Sequence, residues 1–481
     1  MSIKFEAVIG LEVHCQLATR EKLFCGCPTD FGAPINQNTC PICLGMPGVL
    51  PVLNEQAVDM AIRAGLALGC EIRQRSVFSR KHYFYPDLPK GYQITQYERP
   101  ILERGGLSIE LEDGQRRVIG LTRIHMEEDA GKSIHMDTGA TLIDLNRAGH
   151  PLIEIVSEPE LRSAVEAVAY LKALHEVVRY LGICDGNMDE GSFRCDANVS
   201  VRPVGRAAFG TRTEIKNMNT FRGVQRAIDH EILRHIDVIE GGGVIVQETR
   251  LWDEAAGRTR TMRSKEDAHD YRYFPEPDLP HLVISTARIE SLRATQAELP
   301  LAMRERFVRD YGLSAYDAGV LTGEPALVAY FEAAVVSHPN PKGICNWLTS
   351  ELLGRVDAAK VPTSNVSPGA LARLVALIDD ETINGKIAKT VFEKMLSTGM
   401  SPDAVVDADG LRQVKDGGAV ELVVQQVIDA NPNQVSQYRS GKLGLKGFLV
   451  GQCMKVSGGK LNPSLVNDTL DRLLGPPATG G

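Results

Sequence analysis

Phe5-Glu6-Ala7-Val8-Ile9-Gly10-Leu11-Glu12-Val13-His14, close to the N-terminus, is rich in apolar and β-branched residues, which predicts a strand. Its last three residues place a carboxylate, Glu12, and an imidazole, His14, two positions apart and therefore on one strand face. A second strand-like run, Val118 to Met126, leads into His125-Met126-Glu127-Glu128-Asp129. Carboxylates crowded into a strand are costly to bury unless a cation or a proton compensates them. The two segments therefore predict either a divalent-metal site or a solvated acidic turn.

Strand alternation divides the second acidic segment between two faces. If the segment is extended, His125, Glu127 and Asp129 point to one face, while Met126 and Glu128 point to the other. The five residues therefore cannot all serve one ion. Spacing alone leaves open which of the two glutamates would bind a metal.

The bulk composition indicates a multidomain globular protein. A chain of 481 residues with 43% apolar residues is too long for one core, so about two to four domains are expected. A net charge of −8 argues against non-specific coating of nucleic acid or membrane. The sequence contains no secretory leader pattern and no apolar run near the roughly 18 residues of a membrane span. These features predict a cytoplasmic protein that does not use a membrane.

Hydrophobic periodicity changes along the chain. Residues 1–290 mix strand patterns with three helical ones, while residues 289–398 are mainly helical. The three helices are predicted over Glu55–Leu68, Ser163–Leu181 and Arg222–Ile239. The second has two overlapping capping boxes, Ser157-x-x-Glu160 and Ser163-x-x-Glu166, so its start is ambiguous. The pattern predicts an α+β domain over 1–290, a helical domain over 291–403 and a small, mainly α tail domain over 404–481.

Four cysteines form the most specific local motif. Cys25-x-Cys27 is followed after twelve residues by Cys40-x-x-Cys43. Four thiolates on two short turns can complete a tetrahedral zinc shell, with no position left for catalytic water. The motif predicts structural Zn²⁺ in a knuckle over residues 25–43, with buried free thiols as the alternative.

Three further segments suit a nucleotide-dependent enzyme. The run Lys81 to Tyr92 interleaves aromatic and basic residues, which fits either a nucleotide end or a packed aromatic loop. Arg194–Ser200 and Thr213–Asn217 alternate polar and apolar residues, so each predicts a strand with one polar face. The sequence has no P-loop, no dinucleotide-binding fingerprint and no nucleophile elbow. ATP, if used, must therefore be held through a metal and carboxylates on a sheet.

The tail is basic in an otherwise acidic chain. Residues 431–481 contain six Lys or Arg and two Asp. This predicts either a surface for an anionic partner, above all a phosphate backbone, or a solvated basic face.

The chain resembles the GatB family, the B subunits of bacterial aspartyl/glutamyl-tRNA amidotransferases. The resemblance extends nearly from end to end and includes long, unusual motifs. They are Ile9–His14, Lys81–Gln96, His125–Lys132, Asp144–Arg147, Pro151–Pro159, Arg194–Ser200, Asp270–Asp278, Phe448–Gln452 and Asn462-Pro463.

The resemblance implies a fold and a reaction. It implies a cradle domain with a large mixed or antiparallel sheet, related to glutamine synthetase and the guanido kinases, then the helical and tail domains. The B subunit would use ATP and Mg²⁺ to phosphorylate the side-chain carboxylate of Glu-tRNA(Gln) or Asp-tRNA(Asn). Ammonia, released from glutamine by an amidase A subunit and channelled within a heterotrimer that includes a small C subunit, would displace the phosphate.

The resemblance also implies roles for particular residues. The magnesium and kinase site would consist of Glu12, His14, Glu128 and Glu154, with Asp196 and Glu214 as further acids. The misacylated tRNA would place its acceptor end near Lys81, Tyr83 and Tyr85, and its body against Arg439, Lys442, Lys446 and Lys455. Cys25, Cys27, Cys40 and Cys43 match a zinc knuckle that many members have. The alternative is a non-catalytic tRNA-binding scaffold of the same complex, in which the acidic residues would be only structural.

Overall fold

The computed structural model describes residues 4–111, 113–136, 138–264, 271–413 and 416–476. The chain divides into two compact units, one up to Pro300 and one from Leu301. Asp270 in the motif Asp270–Asp278 lies outside the described residues. The structure is mixed α and β, with a large and mostly antiparallel sheet followed by a helical C-terminal part, as the sequence predicts. The domain boundaries at 290 and 403 stay predictions.

The described part of the first unit is built mainly of strands. They are β1 (Phe5–Gln16), β2 (Glu71–Ile72), β3 (Arg75–Ser76), β4 (Ser79–His82), β5 (Tyr92–Thr95), β6 (Leu102–Glu110), β7 (Arg116–Glu128), β8 (Lys132–His135), β9 (Thr141–Asp144), β10 (Pro151–Ser157), β11 (Phe193–Pro203), β12 (Thr213–Met218), β13 (Glu248–Asp253), β14 (Arg258–Ser264), β15 (Phe274–Pro275) and β16 (Leu282–Val283).

Twelve of these strands form one sheet. Its order is β14-β13-β12-β11-β1-β10-β7-β5-β4-β15, with β6 also paired to β7 and β2 to β6. All the pairings are antiparallel except that of β12 with β13. Strand β1 lies between β10 and β11 near the middle of the sheet. Residues close to the N-terminus are thereby brought beside residues from positions 150 and 195.

Four helices belong to the same unit: α1 (Glu55–Ala67), α2 (Ala164–Tyr180), α3 (Phe221–Glu240) and α4 (Thr286–Ala294). Their apolar residues join one core with one face of the sheet, to which β1 contributes Leu11, Val13 and Cys15. Alternation in β1 then turns Glu12 and His14 toward the opposite face. Burial of the apolar face is therefore what presents the polar face as a surface for chemistry.

The start of α2 resolves the two capping boxes. The Oγ of Ser163 accepts a hydrogen bond from the N–H of Glu166, so Ser163 caps the helix. Ser157 lies instead at the end of β10, where its Oγ accepts from the N–H of Leu11 at 2.9 Å. The first capping box is therefore a coincidence of spacing within a strand.

The second unit, with Pro300 at its boundary, is built in its described residues of helices joined by turns and loops. Its helices are α5 (Pro300–Tyr311), α6 (Ala315–Thr322), α7 (Pro325–Ser337), α8 (Pro341–Asn346), α9 (Pro368–Asp379), α10 (Gly385–Thr398), α11 (Pro402–Ala408), α12 (Gly417–Ala430), α13 (Pro432–Arg439), α14 (Leu445–Val456) and α15 (Pro463–Leu474), with a π-helical turn at Trp347–Leu352 and a 3₁₀ turn at Ala358–Thr363. Helices α12 to α15 enclose a core of their own. Across the described ranges, no single helix is long and apolar enough to span a membrane; only α6 and α7 taken together, bent by 116°, reach that length and composition.

Candidate active site

The polar face of the large sheet carries a cluster of two glutamates and two histidines. Strand pairing places His14 of β1 opposite Glu154 of β10, and Glu154 opposite His125 of β7. The Nε2 of His14 is 3.4 Å from a carboxylate oxygen of Glu154 and 3.6 Å from one of Glu127. The Nε2 of His125 is 3.3 Å from Glu154 and 3.6 Å from Glu127. Four residues distant in sequence thus meet at one point of the sheet.

Electrostatics keep both carboxylates of this cluster ionised. Burial alone would raise the pKa of Glu154, but the charges of His125 and His14 outweigh burial and hold that pKa well below its usual range. Burial likewise opposes ionisation of Glu127, yet its hydrogen bond to His125 leaves the pKa lowered. Burial disfavours the protonated imidazole of His125, but the two glutamates raise its pKa to about 9. The two acids likewise raise the pKa of His14 against its burial, so the acids and the imidazoles favour one another's charged forms.

The donor atoms of His14, Glu127 and Glu154 fit a divalent cation. One nitrogen and two carboxylate oxygens lie within 4.8 Å of one another. The Nδ1 of His125, beside them, is buried without a hydrogen-bond partner. Three protein ligands would leave positions for water or phosphate oxygens, which is the way Mg²⁺ is usually held. A cation there would compensate the negative charge of the two glutamates directly.

The structure brings Glu12 near this cluster but not Glu128. Glu12 lies two residues before His14 on the same face, and its carboxylate accepts a hydrogen bond from the Nδ2 of Asn198 at 2.8 Å. Glu128 points to the other face of β7, where its carboxylate pairs with Lys90 and accepts from the backbone N–H of Ile94. The resemblance assigned Glu128 to the metal. In the structure its neighbour Glu127 lies beside His14 and Glu154 instead.

A pocket of about 430 Å³ opens beside the cluster and is lined by cations. Beside His14, its lining includes four cations and three acids: Lys81, Arg147, Arg194, Lys216, Glu127, Asp129 and Asp196. Because the positive side chains outnumber the carboxylates, the pocket suits an anionic substrate that carries a phosphoryl group. Lys81 is the one cation of the four that the resemblance assigned to substrate.

The cation Arg194 is fixed by a buried carboxylate. Its Nη2 donates to the carboxylate of Asp129 at 2.9 Å. The same carboxylate accepts from the side-chain amide of Gln16 and lies 3.6 Å from the Nε of Arg147. Burial would raise the pKa of Asp129, but Arg194 and Arg147 lower it to about 2. The Nε of Arg194 is buried and unpartnered. One donor of this guanidinium therefore remains available beside the pocket.

A second cation, Lys216, bridges two further acids. It pairs with Asp196 on β11 and, at 2.8 Å, with Glu214 on its own strand. The roles of all three were open from the sequence. One ammonium group thus lies between two carboxylates, so the trio keeps a net negative charge.

A continuous row of tyrosine rings begins at the wall of this pocket. Tyr83 lines the pocket, and its ring centroid is 5.9 Å from that of Tyr85 and 6.2 Å from that of Tyr271. The row continues to Tyr273, which stacks on the exposed ring of Tyr97 with centroids 4.1 Å apart. Two of the five, Tyr271 and Tyr273, come from the Asp270–Asp278 motif, whose alternating aromatic residues were the available sequence signal.

A larger pocket of about 640 Å³ lies on the same face, next to Glu12. Asn198, Phe209, Arg212 and Gln247 are among its lining residues. Phe209 is 62% exposed, and the guanidinium of Arg202 lies 5.6 Å from its ring centroid. Because Glu12 lines this pocket and His14 lines the other, the two pockets meet at the acidic cluster.

The four cysteines of the predicted knuckle come together. The sulfur atoms of Cys25, Cys27, Cys40 and Cys43 lie within 4.8 Å of one another, and none is in a disulfide. The N–H of Cys40 donates to the sulfur of Cys43 at 3.2 Å. Four converging thiols with amide donors are the chemistry of a structural zinc site.

The basic residues of the tail are mostly unpaired on the surface. Arg439, Lys442 and Lys455 are exposed, although Arg439 also donates to the carbonyl of Leu474. Lys446 pairs with Asp471 at 2.6 Å, so its charge is already countered. Three of the four predicted residues therefore present free positive charge.

Comparison with known proteins identifies the family. The family profile described as the GatB/GatE catalytic domain matches residues 7–290, and the one described as the GatB domain matches residues 329–474. The chain belongs to the GatB family. Both matches agree with the family that the sequence motifs indicated.

Relatives in the GatB family match over their whole length. The B subunit of the aspartyl/glutamyl-tRNA(Asn/Gln) amidotransferase of Thioalkalivibrio sulfidiphilus is 58% identical over 476 residues, which cover 98% of this chain and 100% of that protein. The proteins of the same name from Geobacter sulfurreducens and Prosthecochloris aestuarii are 56% and 55% identical, over 98% and 99% of this chain and 100% of each relative. These GatB relatives are named for one reaction, the amidation of aminoacyl-tRNA.

Proposed function

We propose that this chain is the B subunit of a glutamine-dependent tRNA amidotransferase and carries the kinase and amidation centre. The amino acid, Glu or Asp, is esterified to tRNA(Gln) or tRNA(Asn) through its α-carboxyl group. An oxygen of its free side-chain carboxylate attacks the γ-phosphorus of ATP, and ADP leaves. Ammonia then attacks the acyl carbon, phosphate leaves, and the product is the amide. The acyl phosphate is needed because a carboxylate is a poor acyl donor at neutral pH.

The observation that carries this proposal is the position of the His14, Glu127 and Glu154 cluster between two pockets on one sheet face. A Mg²⁺ ion held there would offset charge on the transferring phosphoryl group. Lys81, Arg194 and Lys216 would neutralise the remaining charge of the phosphate and the attacking carboxylate. A scaffold without catalytic function has no use for buried acids surrounded by cations.

The two pockets suit the two substrates. We assign the nucleotide to the larger pocket, where Phe209 offers an exposed ring for the base and Arg212 a cation. We assign the aminoacylated 3′ end of the tRNA to the smaller one, where the tyrosine row can stack on unpaired bases. Lys81, Tyr83 and Tyr85 keep the role that the resemblance implied, and we propose that the sheet is a cradle of the glutamine synthetase type.

Further proposals concern the partners and the knuckle. Ammonia would come from the amidase A subunit of a heterotrimer with a small C subunit. The knuckle would hold one structural Zn²⁺, since its four thiols leave no open ligand position. The tail would bind the tRNA body through Arg439, Lys442 and Lys455, with a smaller contribution from Lys446.

Reconstitution with the partner subunits tests the reaction directly. With glutamine, ATP labelled at the γ-phosphate and each misacylated tRNA in turn, we expect labelled phosphate and amidated aminoacyl-tRNA in equal amounts. The same assay shows whether Glu-tRNA(Gln), Asp-tRNA(Asn) or both are accepted. Amidation that proceeds at an equal rate without ATP would contradict the kinase assignment and favour the scaffold.

Charge reversal tests the tail in the same assay. Arg439→Glu, Lys442→Glu and Lys455→Glu combined should raise the KM for tRNA about tenfold or more, because three phosphate contacts are lost, and should leave the KM for ATP unchanged. Reversal of exposed lysines elsewhere in the second unit, Lys360→Glu and Lys386→Glu, provides the control. An unchanged KM for tRNA would show that the basic residues of the tail are a solvated surface that does not bind tRNA.

A further inference from the structure

Lys22 is a fully buried lysine in the first unit, at the base of the cysteine knuckle. Its relative exposure is 0%. Lysine is almost never fully buried without a paired anion, since removing an ammonium ion from water costs several kcal/mol. A residue that bears this penalty in the folded state needs a negative partner nearby.

The partners of Lys22 include no carboxylate. Within the described ranges its Nζ donates to the carbonyl of Asn38 at 2.6 Å and to that of Leu145 at 3.5 Å, and no carboxylate lies within ion-pairing distance. Its remaining partner is the sulfur of Cys43 at 3.6 Å. Carbonyl oxygens solvate an ammonium ion but do not neutralise it. The anion that compensates Lys22 is therefore the cysteine cluster.

The sulfur atoms of the knuckle need a positive partner, just as Lys22 needs a negative one. Four thiolates around a divalent zinc ion leave two uncompensated negative charges, and one of the four, Cys43, is a buried residue.

We propose that Lys22 is a built-in counter-ion of the zinc knuckle, which neutralises part of the tetrathiolate charge and strengthens retention of the metal. It acts on the zinc through the sulfur of Cys43 and through the loop that carries Asn38. This role depends on zinc in the knuckle and is independent of the amidation reaction. Its failure and that of the kinase assignment are therefore separable.

Metal retention by Lys22 variants tests this proposal. The purified wild-type chain should carry one equivalent of zinc under reducing conditions. Lys22→Met should weaken zinc binding about 10- to 100-fold in competition with a chromogenic chelator, as expected for loss of an outer partner of the ligands. Lys22→Gln, uncharged but still a donor, should weaken binding similarly and serves if the methionine variant does not fold. Lys172→Met, an exposed lysine on α2, is the matched control.

Cobalt substitution separates a charge effect from a packing effect. The sulfur-to-cobalt charge-transfer band should move to lower energy in both Lys22 variants, because loss of a nearby positive charge destabilises the sulfur lone pairs. A lysine that only fills space would leave the band in place. Zinc affinity within twofold of wild type and an unmoved band in both variants would overturn the proposal. So would a wild-type chain without zinc.

Discussion

Glu127→Gln is expected to lower the turnover number for ATP-dependent amidation about a thousandfold in the reconstituted complex. The substitution keeps the size of the side chain but removes one of the two carboxylates, those of Glu127 and Glu154, that are proposed to hold Mg²⁺ with His14. The ion would then bind more weakly, and the phosphoryl group would lose charge that should stabilise its transfer. Release of labelled phosphate and a titration with Mg²⁺ measure the two effects.

Glu128→Gln is the matched comparison one residue away. Its carboxylate faces Lys90 and Ile94 on the other side of the strand. The substitution should therefore reduce stability by about 3–5 kcal/mol, as for a broken buried ion pair, and reduce the phosphate-release rate of the folded enzyme much less than Glu127→Gln does. Circular dichroism and filter binding of tRNA control for folding and substrate affinity. If Glu128→Gln lowered the phosphate-release rate a thousandfold while Glu127→Gln left it near normal, Glu128 and not Glu127 would be the metal ligand.

Glu127 and Glu128 show what strand alternation can predict from the sequence and what it cannot. Period-two alternation correctly separates Glu127 from Glu128, because the segment stays extended to the end of β7. Alternation cannot say which face meets His14, since that depends on the partners of the strand. The register of β10 between β1 and β7 supplies the answer by placing Glu154 opposite both His14 and His125.

The cysteine knuckle was predictable because its chemistry is local. Cys25-x-Cys27 and Cys40-x-x-Cys43 lie on two short turns, so their spacing alone brings four sulfurs together. The ammonium of Lys22 beside them was not predictable. A lysine in sequence is normally a surface residue, and only the folded loop shows that this one is enclosed.

Longer-range polar networks escape sequence reasoning for the same reason. Arg194 and Lys216 lie on strands whose polar faces the alternation anticipated, yet their pairing with Asp129 and Asp196 required the sheet order. Tyr271 and Tyr273 belong to a motif to which the sequence assigned no use. They come beside Tyr83 because β15, which follows them directly, pairs with β4 at the sheet edge.

Glu231→Gln is expected to lower the free energy of unfolding of the first unit by about 3–5 kcal/mol. Glu231, on α3, is 0% exposed. It accepts hydrogen bonds from Thr213 at 2.8 Å, Thr259 at 2.9 Å and Arg234 at 3.0 Å, and lies 3.6 Å from Arg250. One carboxylate thus connects the helix to three strands. A neutral amide would leave two arginines without their shared buried anion.

Urea unfolding followed by fluorescence measures this loss. The chain has two tryptophans, and Trp347→Phe leaves Trp252 of β13 to report on the first unit alone. Glu240→Gln, an exposed glutamate at the end of the same helix, should change stability by no more than about 0.5 kcal/mol. A Glu231→Gln variant within this range of wild type would show that the network contributes no net stability.

The dependence on pH provides an independent check on Glu231. Burial would raise its pKa, but hydrogen bonds and the charges around it hold the folded-state pKa far below the ordinary value of 4.5. A depressed pKa gives stability that is complete above the unfolded value and declines as the pH falls below it. The difference in unfolding free energy between wild type and Glu231→Gln should therefore be constant above about pH 5.5 and shrink steadily below about pH 4.5. A difference that stays constant down to pH 3 would show that the ionised carboxylate is not the source of the stability.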